Sequence, residues 1–416
     1  MAHLTQSSKN AIYLDHNATT PLDPEVVARL STWVLDWGNP SSIHQAGRGP
    51  KARLRDARLS VAQMIGASPL EIIFTSCGSE SNNTALLGAL AALKSAGDLR
   101  RHVLASSLEH PSVKRTLEHL AEQGYEIEFV PANRSGLMQA EDFRSRLREG
   151  ETVLVSCMLV NNETGVVQPV KEIAEAAHAA KALMHTDAVQ ALGKMPVNLR
   201  DLGVDYASFA GHKFYSIRGA AVLFVKRSSP FQPLIFGGAQ ERHRRGGTEN
   251  TLAIASLGYM CTRMHEVPER AKHMASLRDH FESRVLMEIE GVSINGAESP
   301  RVGSTSSLLI PGTDGETLLM SLDMEGVQVS TGAACSSGSP EPSPVLLAMG
   351  LSRDEAQCSL RVGVGWGNTR EEIDRFVEIL KKVVSRLREL RGWKPGAVGE
   401  SSKSSLAKAS LKGQVV

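Results

Sequence analysis

Seven short apolar runs recur through the first half of the chain: Glu71 to Thr75, His102 to Ala105, Ile127 to Val130, Thr152 to Leu159, Ala182 to Thr186, Asp205 to Ala210 and Ala220 to Val225. Segments of helical period lie between several of them, Val170 to Lys181 for example. Strand-length apolar runs alternating with helices restrict a chain to an α/β architecture, a mostly parallel sheet with helices on both faces. Ligands of such sheets sit beyond the carboxyl ends of the strands. Ser79, His110, Asn162, Asp187 and Lys213 all fall at those ends in this reading.

A second pattern begins near Pro268. A long helix, Pro268 to Met287, precedes short strands at Val292 to Ile294, Thr305 to Ile310 and Val327 to Ser330. A further strand, Ser359 to Val364, leads into a helix from Thr369 to Arg391. Thr369 and Glu372 have the spacing of a capping box, and Gly392 suits a C′ stop. The expected division is a large unit over 11–265, a smaller α+β unit over 266–393 joined by the N-terminal segment, and a tail over 394–416. The tail is rich in Ser, Lys, Gly and Ala, carries no periodic apolar face, and is expected to be disordered.

Composition excludes several classes. Net charge is +1, so no bulk attraction to nucleic acid or membrane is implied. No apolar run approaches the roughly 20 residues of a membrane span. Met1 to Asn10 is polar and lacks the apolar core of a signal peptide. The five cysteines, Cys77, Cys157, Cys261, Cys335 and Cys358, are widely spaced with no CxxC. They suit neither a disulfide framework nor a zinc site, so no metal is expected and a reducing cytoplasm is the simplest home.

Two motifs carry chemistry. Ala210-Gly211-His212-Lys213-Phe214-Tyr215 puts a lysine just past one apolar run, and His185-Thr186-Asp187-Ala188-Val189-Gln190 puts a carboxylate at the end of another. An amine and a carboxylate on neighbouring strand ends are what a pyridoxal phosphate (PLP) enzyme needs. The amine anchors the cofactor covalently, and the carboxylate keeps the pyridine nitrogen protonated so that the ring accepts electrons. Gly78 and Ser79 follow a strand and open a helix expected to start at Glu80, where free backbone N–H groups suit a phosphate. A plain N-cap serine is the competing reading.

Further segments match a family in order: Tyr13-Leu14-Asp15-His16-Asn17-Ala18-Thr19-Thr20-Pro21, Gly38-Asn39-Pro40-Ser41-Ser42, Phe74-Thr75-Ser76-Cys77-Gly78-Ser79-Glu80-Ser81-Asn82, Glu109-His110, Val160-Asn161-Asn162-Glu163-Thr164-Gly165, Gly246-Gly247-Thr248-Glu249-Asn250 and Ser330-Thr331-Gly332-Ala333-Ala334-Cys335-Ser336-Ser337-Gly338. With the two motifs above, they make the chain resemble the cysteine desulfurases of PLP fold type I, close to the selenocysteine lyases, from Ile12 to about Trp393. The resemblance implies an enzyme that converts L-cysteine to L-alanine and passes sulfur, as a persulfide on Cys335, to an acceptor or iron–sulfur scaffold protein. It also implies a homodimer. A selenocysteine lyase acting on L-selenocysteine, or another PLP lyase of the same fold, is the alternative.

The resemblance distributes roles among the residues. Lys213 would anchor the cofactor and shuttle protons, and His110 would lie against the pyridine ring. Asp187 would pair with the ring nitrogen, Gln190 with the phenolic oxygen, and Asn162 with the same region. Gly78, Ser79 and His212 would hold the phosphate, with Thr248 arriving from a second copy of the chain. Arg361 would clamp the substrate carboxylate, a task that suits a guanidinium fork, and Asn39 would also contact substrate. A structural salt bridge is the competing reading for Arg361. Cys335 sits among small residues without an apolar period, which predicts an exposed, mobile loop. Its surroundings resemble the desulfurase group with the long active-cysteine loop.

Some positions depart from the family. Ser216-Ile217-Arg218 follows Tyr215 where many members carry Gly-Pro, and Ala210 stands where many carry a phosphate-binding serine. The Gly363-Val364-Gly365-Trp366-Gly367 stretch has the wrong spacing for a dinucleotide fingerprint, and no βαβ unit follows it.

Overall fold

A computed structural model describes residues 11–331 and 341–394. The segment containing Cys335 and nearly all of the expected tail therefore lie outside the described residues. The chain opens with a short strand, β1 (Ile12–Tyr13), and the seven apolar runs follow as β2 (Ile72–Thr75), β3 (His102–Ser106), β4 (Glu126–Val130), β5 (Thr152–Ser156), β6 (Leu183–Asp187), β7 (Tyr206–Ala210) and β8 (Ala221–Val225). These seven make one sheet in the order β2-β8-β7-β6-β5-β3-β4. Pairing is parallel from β7 through β4, and β8 alone runs antiparallel to both its neighbours. The fold is thus α/β with a mostly parallel seven-stranded sheet flanked by helices.

The strands lack apolar–polar alternation because helices cover both faces; β2, β3, β5, β7 and β8 are buried along their whole length. Edge strand β4 is the exception and keeps charged Glu126 and Glu128 outward, which blunts a free edge. Several helices between strands begin on designated caps. Asn250 Oδ1 accepts from the N–H of Ala253 at the start of Thr251–Thr262, and His110 Nδ1 accepts from that of Ser112 at the start of Pro111–Glu122.

A second core lies beyond. It joins Leu277, Phe281 and Val285 of the helix Val267–Glu288 to Ile373, Phe376, Val377 and Leu380 of the helix Arg370–Leu390. Phe281 and Phe376 stack at 5.1 Å. The last helix buries positions spaced three and four apart, and the Thr369–Glu372 capping box closes its start. Gly392, at φ 62°, ends it in the left-handed region. Three strands, β9 (Ser293–Ile294), β10 (Thr305–Leu309) and β12 (Ser359–Gly363), form an antiparallel sheet there, and β11 (Val327–Gln328) pairs in parallel with β1. Ile12 and Leu14 belong to this second core. The chain then crosses, within a few residues, from that core to the strand ends of the large sheet. No helix among the described residues is long and apolar enough to cross a membrane.

Candidate functional site

The site forms where β6 and β7 stop. Their parallel register sets Asp187 opposite Ser208, and the chain after Ala210 turns through a short 3₁₀ segment, Gly211–Lys213. Lys213 Nζ donates to the backbone carbonyls of Asn17 at 2.5 Å and Ala18 at 2.6 Å. Burial, then the nearby Arg361 cation, push its amine down to about 8, with Asp15 and Asp187 pulling the other way. A lysine with this value has a useful fraction of free amine near neutral pH.

Asp187 is buried and held from two sides. Its Oδ2 accepts from Asn82 Nδ2 at 2.7 Å and its Oδ1 from the backbone N–H of Val189 at 3.0 Å. Asn82 belongs to the helix Gly78–Ser95 and also donates to Ser112 Oγ at 2.9 Å. Ser112 in turn contacts His110 Nδ1 at 2.7 Å, while its N–H donates to the same nitrogen at 3.1 Å. With Nδ1 accepting, neutral His110 carries its proton on Nε2. Burial and Lys213 lower its pKa, the first more strongly, against the pull of Asp187.

The helix Gly78–Ser95 starts two residues earlier than expected. Cys77, in extended backbone, is its N-cap, and its Sγ accepts from the N–H of Glu80 at 3.4 Å. Gly78 and exposed Ser79 therefore occupy the first turn rather than the approach to it. A Cβ at Gly78 would be tight, 3.0 Å from Val189 Cγ2 and 3.6 Å from Ala210 Cβ, so that glycine keeps the backbone there open. His212 Nδ1 lies 3.2 Å from Thr19 Oγ1, and burial together with Lys213 and Arg218 lowers its pKa to about 4.

Gln190 donates from Nε2 to the carbonyl of Asn17 at 2.9 Å. Arg361 reaches in from β12: Nη2 pairs with Asp15 Oδ1 at 2.9 Å, and Nη1 donates to the carbonyl of Asn162 at 3.3 Å. Both the salt bridge and the position at the site are thus present, and Arg361 Nε keeps no hydrogen-bond partner among the described residues. The buried side-chain oxygen Oδ1 of Asn162 is likewise unpartnered. Thr248 and Asn39 are exposed, and no hydrogen bond among the described residues joins either to Lys213, Asp187 or Arg361.

Several contributors had no assigned role in the sequence reading. Asn17 receives Lys213, Gln190 and Lys194, and it donates from Nδ2 to Thr305 Oγ1 and to the carbonyl of Asn162. Glu109 is buried with Oε1 accepting from the N–H of Met158 and Oε2 unpartnered; burial and Asp187 push it up to about 8. Glu163, which accepts from Ser343 Oγ, is pushed up by burial to about 7. Asp15, Asn17, Glu109 and Glu163 all lay inside segments that matched in order, the one signal available for them. Cys157 is buried, as expected of a small apolar side chain. Cys358 is half-buried, and its thiol donates to the carbonyl of Thr313 at 3.1 Å.

Comparison with known proteins gives consistent matches. The aminotransferase class-V family model matches residues 12–376. The cysteine desulfurase IscS of Dictyoglomus turgidum is 38% identical over 388 residues, covering 93% of this chain and 98% of that protein. A cysteine desulfurase of Trichormus azollae is 38% identical over 392 residues, covering 94% and 97%. A solved NifS-like protein superposes with a TM-score of 0.83 at 33% identity, covering 90% of this chain and all of the other.

Proposed function

Since the chain belongs to the class-V aminotransferase family, we propose that it is a PLP-dependent cysteine desulfurase, converting L-cysteine to L-alanine. The sulfur atom of the substrate passes to the thiol of Cys335, forming a persulfide, and from there to an acceptor protein for iron–sulfur assembly or thiolation. The step balances: cysteine and a thiol give alanine and a persulfide. The observation that carries the reading is the pair of groups at adjacent strand ends, the half-buried amine of Lys213 with its lowered pKa and the buried carboxylate of Asp187.

The residues present fit the cofactor. Asn162 Oδ1 and Arg361 Nε are buried polar atoms with no hydrogen-bond partner among the described residues, and the backbone of Gly78 lies bare in the first turn of its helix. Lys213 would anchor PLP, Asp187 would face its ring nitrogen, His110 its ring and Gln190 its phenolic oxygen. Gly78, Ser79 and His212 would hold the phosphate with Thr248 of a second copy. Bound PLP supplies an electron sink that stabilises negative charge at the substrate Cα.

The chain's own residues do the rest. Lys213 would take the proton from the substrate Cα on an amine whose lowered pKa suits the task. Asn82 and the N–H of Val189 hold the Asp187 carboxylate in place from two sides. Ser112 fixes His110 with its proton on Nε2, where it can be given. Arg361 would orient the substrate carboxylate, with Asn39 as a further substrate contact. The chain is read as a large unit over 11–265 and a small one over 266–393, although the core of the large sheet also takes in Val302, Val345 and Leu346, and the second core takes in Ile12 and Leu14. A reducing cytoplasm suits a thiol that must stay free.

Purified protein supplied with PLP should show a visible absorption band and form alanine from cysteine; absence of both would overturn the assignment. Asp187→Ala should keep its fold and load PLP weakly, with turnover down about a hundredfold or more from lost electrostatic support. Near-normal turnover in a folded, loaded variant would contradict the role. A homodimer is expected in sedimentation, because Thr248 would serve the other copy's site. A monomer that still holds PLP would refute that.

A further inference from the structure

We propose that Lys194 is a positioning residue, one that holds Gln190 and Asn17 in the arrangement that presents Lys213 and the Gln190 amide to the cofactor. The inference rests on the PLP reading above. Lys194 lies on the turn after β6 and is only 5% exposed. Its Nζ donates to Gln190 Oε1 and, at 3.2 Å, to Asn17 Oδ1. Gln190 Nε2 and Lys213 Nζ then converge on one acceptor, the Asn17 carbonyl, at 2.9 and 2.5 Å. Lys194 thereby braces Asn17, whose carbonyl receives the anchoring amine, and Gln190, which donates to that same carbonyl.

The bonding fixes an orientation. Lys194 Nζ donates in both contacts, so it meets the oxygen of the Gln190 amide and leaves the NH₂ pointing to Asn17. An amide nitrogen has two protons. Asn17 takes one, and the other is available to an acceptor oxygen in the site. Asn17 is braced in the same way: with Lys194 and Thr305 Oγ1 on Oδ1, its Nδ2 faces Thr305 and the Asn162 carbonyl.

A folding role does not account for this lysine. No carboxylate forms an ion pair with it among the described residues, and a buried cation without one is costly. Burial and the charges of Lys213 and Arg361 hold its pKa well below the usual lysine range, as that cost requires. A methionine of similar length fills the same space without it.

The test compares Lys194→Met and Lys194→Gln with the wild type, all stripped of cofactor. Melting temperature is recorded first, then the rate at which added PLP produces the visible band. Lys194→Met is expected to melt at or above the wild type and to capture PLP about tenfold more slowly, the worth of one well-placed hydrogen bond. Lys194→Gln, which restores a neutral donor, should recover most of the rate. Unchanged capture in Lys194→Met, no recovery in Lys194→Gln, or slow capture accompanied by lowered melting in both variants would overturn the proposal.

A second arm needs no cofactor. Acetylation of Lys213 by acetic anhydride, followed by peptide mapping, should quicken in Lys194→Met, because the Asn17 carbonyl that accepts from the Lys213 amine loses its brace and holds that amine less firmly. Equal labelling would count against the proposal. A wild type that captures no PLP would fail the assigned function, while this arm would still judge Lys194.

Discussion

Lys213→Ala should abolish turnover, with a fall of about 10⁴-fold, the upper range for loss of a positioned acid–base group, and no covalently held cofactor. Two functions disappear together, the anchor and the proton carrier, and the structure offers no replacement amine. Lys194 is braced against Gln190 and Asn17, and Lys226 lies at the far end of β8, 3.8 Å from Asp205. Borohydride reduction of the loaded enzyme followed by peptide mapping checks the assignment directly; label on Lys194 or Lys226 would sink it. The pH dependence adds a second test. Only the unprotonated amine attacks an aldehyde, and burial lowers the Lys213 pKa to about 8. Cofactor capture by the stripped enzyme should therefore rise with pH through a midpoint near 8, not near the ordinary lysine value of about 10.4.

The contrast between Lys213 and Lys194 also shows what a sequence reveals. Lys213 was legible because it follows an apolar run, β7, at a place where α/β sheets bind ligands. All seven strands of the large sheet were legible for the same reason: buried parallel strands are short apolar runs bounded by polar residues. The last helix announced both its ends, Thr369 with Glu372 and Gly392. Lys194 carries no such local mark. Its meaning comes from Asn17, 177 positions away in the chain, and that contact exists only because β1 pairs with β11 and delivers the segment after it to the strand ends.

Glu109 was equally opaque. Beside a histidine and a proline it reads as a surface residue, yet its burial follows from packing against Met158, 49 positions on. The start of the helix Gly78–Ser95 was misplaced by two residues because cysteine is an uncommon N-cap, and the eye falls on the serine instead. The Trp366 segment, dismissed as a nucleotide site, has a packing role: Trp366 stacks on Tyr215 at 4.1 Å and donates its N–H to the Tyr215 hydroxyl at 2.7 Å. That contact ties the turn after Lys213 to the strand that carries Arg361, a link that no local pattern encodes.

Cys335→Ser should separate sulfur transfer from every other part of the chemistry. Cys335 lies outside the described residues, so the expectation rests on the reactivity of its thiol and on the site around Lys213. Serine differs from cysteine by one atom, the smallest change that removes the thiol. PLP binding and the visible band, which depend on Lys213 and Asp187, should therefore persist. A hydroxyl cannot take up sulfur as a persulfide, so alanine formation from cysteine should collapse. Selenium is a better leaving group than sulfur and need not pass through the thiol, so alanine formation from selenocysteine could continue in the same variant. The measurement is paired: both substrates with wild type and variant, and mass spectrometry of the wild type for the persulfide. Retained cysteine turnover in the variant, or a persulfide on Cys77 or Cys358, would overturn the mechanism. Cys77 is the sharper control of those two, because it is exposed at the start of the helix Gly78–Ser95, whereas Cys358 is half-buried and donates to the Thr313 carbonyl.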